Sequence, residues 1–179
     1  MLANHLQKTE QKSVLVALVA YGDVGPYNNR KPVTVLTPRF AAESEGLGEM
    51  LKNVEKTGIP GVNQQVDAGV YAALDSLDWN PDPACRRLLV VCGNAPPYEE
   101  GAGSRRHTTD ELVRLARQRR VTILGMLAAS QENTDVREQM RSFLLQLCGR
   151  TGGRMADLGS KSYCNHWTWG ERRFEPITR

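Results

Sequence analysis

The sequence predicts an α/β fold, a doubly wound and mostly parallel sheet with helices on both faces. Three observations predict it. Four apolar runs are rich in β-branched residues, at 14–21, 33–37, 86–93 and 121–128. Stretches of helical period alternate with them. Turn-forming loops rich in Gly, Pro and Asn follow the first and third runs. Such alternation implies parallel strands joined by right-handed crossovers. In such sheets ligands bind at the carboxyl ends of the strands.

The first run, VLVALVAY at 14–21, is apolar throughout, the pattern of a strand covered on both faces. It stops at Gly22-Asp23, ahead of the loop GDVGPYNNR. VTVLT at 33–37 makes a shorter second strand. Near 41–56, Leu47, Met50, Leu51 and Val54 fall at helical spacing, with Gly46 and Gly48 weakening the middle. DAGVYAALDSL then places Val70, Tyr71, Leu74 and Leu77 on one helical face. RRLLVVCG at 86–93 reads as another buried strand, closed by the turn-rich NAPPYEEGAGSRR.

Thr108 with Glu111 matches a capping box, which starts a helix running to about Arg120. VTILGMLA at 121–128 is the next buried strand. Thr134 with Asp135 opens a helix carrying Val136, Met140, Phe143, Leu144 and Leu147 on one stripe, ending near Gly149. RMADL at 154–158 is a short last strand. The domain thus spans 1–158. Residues 159–179 form a C-terminal tail with two tryptophans, Trp167 and Trp169, and no clear period.

A chain of 179 residues suits one domain. Its net charge of +3, from 23 basic and 20 acidic residues, is no nucleic-acid signature. Arg114, Arg117, Arg119 and Arg120 close a predicted helix, whose negative end favours cations. No apolar run approaches the ~18 residues of a membrane span. The first twelve residues are polar, unlike a secretory signal. These features point to a cytoplasmic protein that engages neither membrane nor nucleic acid.

Cys85, Cys92, Cys148 and Cys164 show no CxxC spacing, which argues against a zinc ribbon. Cys92 and Cys148 read as small buried hydrophobes. Cys164 and His166 are two ligand types near each other, and two ligands do not make a metal site. There is no GxxxxGK[ST] loop, no GxGxxG after a strand and no GxSxG elbow. Of the three histidines, His107 reads as a solvated loop residue. No catalytic residue stands out, so catalysis is unmotivated.

VALVAYGD, VTVLTPRF, DAGVYAALDSLDW, RRLLVVCGNAPPY and TGGR, in that order, resemble the von Willebrand factor type A (VWA) family. The likeness is to its bacterial, kinase-linked branch and runs over roughly 14–158. There, strands ending VAYRD and GDAPPH flank a GGGD-PEAVY-AL helix. The resemblance implies a doubly wound domain with a metal-ion-dependent adhesion site at the carboxyl ends of the strands. It implies too that a central first strand should precede Val14, bearing a DxSxS motif.

This chain departs from that pattern. DxSxS and its strand are absent from the sequence. Asn63, Gln64 and Gln65 stand at the GGGD loop, and Asn94 replaces the late Asp. Amides hold a hard cation poorly. The expectation is therefore a degenerate site without cofactor, Mg²⁺ binding only if a missing upstream segment supplies ligands.

Asp23, Gln65 and Asn94 would converge at the strand ends. They form a partner-binding rim, or Asp23 and Asn94 simply close turns. A missing central strand would leave two apolar edges unpaired. The chain would then belong to a longer protein, close its edges on each other, or take a strand from a partner or by self-association; the first is favoured. The reading that results is a non-catalytic protein-interaction module. The alternative is a small Rossmann-like enzyme or ligand-binding protein using the same strand ends, with Asp23 or His107 as base.

Overall fold

The computed structural model describes residues 14–22, 33–35, 39–40, 64–99, 106–128 and 134–158. Two sheets hold the strands. In the first, β1 (Val19–Tyr21) pairs antiparallel with β2 (Val33–Val35), Ala20 opposite Thr34. In the second, β3 (Arg87–Gly93), β4 (Val121–Leu127) and β5 (Met155–Asp157) run parallel in that order. Helices α1 (Val66–Asp75), α2 (Thr109–Gln118) and α3 (Thr134–Arg150) alternate with these strands. The α/β class and the parallel sheet are as the sequence predicts. The helix expected near 41–56 and the tail lie outside the described residues.

Side chains alternate across a strand, so the parallel register sorts the sheet into two faces. Val91, Val121, Ile123 and Leu127 share one face and are buried. They meet Val70 and Leu74 of α1, Leu112, Val113 and Ala116 of α2, and Met140, Phe143, Leu144 and Leu147 of α3. Burying a Leu or Val side chain contributes about 1.5–3 kcal/mol, so this layer is the main source of stability. Cys148 belongs to it, as expected. Burial pushes its thiol up to about 11, and a hydrogen bond with the Gly125 backbone pulls partly the other way.

The opposite face is different. Leu88 is 46% and Val90 44% exposed, and Cys92 beside them is exposed. Two expectations are therefore corrected: RRLLVVCG is not a fully buried strand, and Cys92 is not a core residue. The side chains of Leu88, Val90 and Cys92 point to the face opposite the helical layer, and among the described residues β3 pairs with β4 on one side and with no strand on the other. The run at 14–21 is likewise shorter than expected, with a strand only at Val19–Tyr21 and an isolated bridge at Val16.

Local chemistry fixes the element ends. Thr108 caps α2, its hydroxyl accepting from the Glu111 N–H at 3.2 Å. α3 ends at TGGR: Gly152 has φ +76°, and the Gly153 N–H reaches back to the Cys148 carbonyl at 2.8 Å. A Cβ on Gly153 would lie 1.8 Å from the Ile123 carbonyl oxygen, so only glycine lets the chain pass β4 there. Arg87 pins the start of β3. Its guanidinium donates to the carbonyls of Asn80 (2.6 Å), Arg119 (3.0 Å) and Asp82 (3.0 Å).

Candidate functional site

The carboxyl ends of β1 and β3 face a common region, stitched by the two residues that precede α1. The Gln64 N–H donates to the Pro96 carbonyl at 2.9 Å, and the Gln65 N–H to the Gly22 carbonyl at 3.1 Å. The chain around Gln65 is thereby held between the residue before Asp23 and the loop that carries Asn94. Gln65 is itself 1% exposed and lies inside the rim, whereas Asn94 is exposed. Asp23 lies outside the described residues.

Tyr21 closes the same end from below. Its hydroxyl donates to the Cys92 carbonyl at 2.8 Å. Its ring lies against both Gly69 of α1 and Gly93 of β3, where any Cβ would collide with it. Burial, with the Cys92 thiol adding to it, pushes the phenol well above its ordinary value of 10.0, so it stays a donor.

A second group went unrecognised in the sequence. Asp67, in the first turn of α1, is 0% exposed, and its Oδ2 accepts from the N–H groups of Arg106 (2.9 Å) and His107 (3.0 Å). Its Oδ1 has no hydrogen-bond partner in the protein. His107 stacks on Tyr71 with ring centroids 3.8 Å apart and planes 2° from parallel. His107 Nδ1 meets Glu111 Oε2 at 3.2 Å.

His107 is thus an oriented, half-buried residue, which corrects the reading of it as a solvated one. The i, i+4 spacing of His107 and Glu111 was the available signal. Glu111 turns to His107, and no bond from its carboxylate back to Thr108 completes the capping box. An imidazole held by a carboxylate at one nitrogen is the geometry of a positioned base.

The described donors at this end are a poor match for a divalent cation. Gln65 and Asn94 offer neutral amides, and Mg²⁺ takes charged carboxylate oxygens in octahedral geometry. Among the described residues no three His, Cys, Asp or Glu side chains are grouped to share an ion. No described helix is long and apolar enough to cross a membrane.

The edge of β3 completes the geometry. In a parallel strand, alternate residues direct their N–H and C=O groups to opposite sides. The Gly93 carbonyl accepts from Ala128 N–H on the β4 side, and the Cys92 carbonyl faces Tyr21. Leu88 and Val90 therefore share the Cys92 side, where no described strand pairs with them.

Comparison with known proteins gives a fold likeness. No family model matches the chain, and no curated protein matches it. Among solved structures it is similar to the crystal structure of the conserved hypothetical protein BatB from Bacteroides thetaiotaomicron. The likeness has a TM-score of 0.51 at 12% identity, covering 86% of this chain and 75% of that one. At that identity the likeness is one of fold alone.

Proposed function

We propose that this chain is a VWA-like protein-interaction module that works without catalysis and with a degenerate metal site. One observation carries the reading: an apolar strand edge, Leu88 to Cys92, stands exposed beside a sheet end that offers amides in place of metal ligands. Exposed apolar strand edges are the features that proteins normally cover, because they recruit other chains. The fold likeness to BatB and the order of VAYGD, DAGVYAAL and GNAPPY support the family part of the reading.

His107, held by Glu111 and stacked on Tyr71, favours a second reading, a small ligand-binding protein or enzyme at the same strand ends. A thermal-shift screen against Mg²⁺, Mn²⁺, nucleotides and sugars separates the two. The interaction module shifts with none of them. A repeatable shift with a nucleotide or sugar, lost in His107→Asn, overturns the module in favour of the second reading. A shift with Mg²⁺ alone overturns the degenerate metal site.

A further inference from the structure

We propose that the end of the sheet opposite the candidate site docks an acidic segment of a partner protein, held by Arg86 and Arg120. The inference rests on the interaction-module reading and names a contact surface and the chemistry of what it takes.

Strand starts and helix ends meet here. β3 begins at Arg87 and β4 at Val121, and those two residues are Cα partners in the parallel register. Arg86 and Arg120 each stand one residue ahead of that pair, so they enter the sheet side by side. Neighbouring strands lie ~4.8 Å apart. More arginines gather around them. The Arg87 guanidinium reaches the Arg119 carbonyl at 3.0 Å, and that of Arg117 reaches the Arg150 carbonyl at 2.8 Å.

Most of these arginines have structural duties. The last carbonyls of a helix lack partners within it and attract cations. Arg119 donates to the Asp75 carbonyl at the end of α1 (3.4 Å), Arg87 to the carbonyl that caps α2, and Arg117 to the last carbonyl of α3. Arg150 pairs with Asp110 at 2.6 Å. Arg86 and Arg120 do none of this. Both are exposed, and among the described residues neither guanidinium has an acid or a carbonyl as partner.

Both residues destabilise the fold, and nothing described within it offsets that. Like charges side by side on neighbouring strands repel. Arg120 also follows the cap of α2 with φ 54°, a left-handed backbone in the place where helices favour glycine. Strain of this kind is retained where the side chain serves a function. Two unengaged guanidinium groups at one spot fit an anion between them.

The surroundings select a protein as its source. Asp75 lies 4.0 Å from Arg119, Asp82 turns Oδ1 to the Ala84 N–H at 2.8 Å, and Asp78 is exposed in the same loop. These carboxylates interrupt the positive field, which a continuous phosphate backbone would meet at every step. A peptide can set a carboxylate at Arg86 and Arg120 and uncharged residues beside the acids. A guanidinium fork takes such a carboxylate through two parallel N–H bonds.

The probe is a blocked hexaglutamate peptide, and its control is hexaglutamine. Fluorescence anisotropy with the full chain at low salt should show saturable binding of the first and none of the second, weakening as salt rises. Arg86→Gln and Arg120→Gly should each weaken it about fivefold. Arg120→Gly should melt no lower than the wild type, because glycine relieves the left-handed backbone. Arg141→Gln, at an exposed arginine on the flank of α3, should leave binding unchanged.

Equal weakening by Arg141→Gln and Arg86→Gln overturns the proposal, for net charge alone would then suffice. Tighter binding to duplex DNA or to anionic lipid vesicles than to hexaglutamate overturns it too. So does a lowered melting temperature of Arg120→Gly, which would give that guanidinium a structural duty. Failure of hexaglutamate to bind overturns acidic docking alone and leaves the interaction module standing. A nucleotide or sugar shift in the screen above overturns the module, and this docking with it.

Discussion

Tyr21 stands where sequence, packing and the proposed function meet. A phenol at the end of an apolar strand would ordinarily turn to water. Here Gly69 and Gly93 leave a slot for its ring, and the Cys92 carbonyl lies at its tip. Tyr21→Phe keeps the ring and deletes the bond, so at pH 8 urea denaturation should show a loss of about 1 kcal/mol.

The pH dependence has a definite sign. The folded phenol titrates above its unfolded value of 10.0. The contribution is therefore complete below pH 10 and is lost as pH rises past it, because the unfolded state sheds the proton first. The stability gap between wild type and Tyr21→Phe should shrink between pH 9 and 11. A gap that widens would contradict the burial of this group. None of this was legible in VALVAYGD, since the tyrosine's partner lies 71 residues away.

At the scale of elements, β3 shows which signals a sequence carries and which it does not. Its boundaries were legible, because RLLVVCG is β-branched and bounded by turns. So were the cap at Thr108 and the end of α3, expected near Gly149 and observed at Arg150, which depend on residues a few positions away. The exposure of Leu88, Val90 and Cys92 was not, because burial depends on which strand lies alongside. The buried Asp67 was missed for a similar reason, since its partners at 106–107 come from another loop.

Arg87 belongs to this scale as well. Its three carbonyl partners come from the loop after α1 and from the end of α2, whose negative pole it faces. Arg87→Met preserves bulk but leaves those carbonyls without their donor. Chemical denaturation should register a loss of about 3 kcal/mol, far beyond that of an ordinary surface arginine.

Across the whole molecule, the described structure falls into two units of unequal strength. β3, β4 and β5 share a ladder and a helical layer, whereas β1 and β2 form a two-stranded sheet of three-residue strands. So short a two-stranded sheet depends on what it packs against, here α1 through Tyr21 and Gly69. Native-state amide exchange should therefore find Val19–Tyr21 opening at much lower free energy than Ile123–Leu127. Equal protection at the two sites would mean that β1 is integrated more firmly than its separate sheet implies. The alternation of strands and helices made the α/β class readable. That β1 and β2 lie in a sheet apart from β3, β4 and β5 was not readable, because which strands pair leaves no trace in the periodicity.

The bond between Tyr21 and Cys92 also sets an order in time. Tyr21 emerges from the ribosome 71 residues ahead of the carbonyl it will hold. At about 5–20 residues per second that is a wait of roughly 4–14 s. Throughout it the apolar stretch that ends in Tyr21 can pair with β2 but has no parallel sheet to lean on. During synthesis this stretch is a natural client for whatever shields nascent chains, and slowing translation before Arg87 should lengthen that dependence.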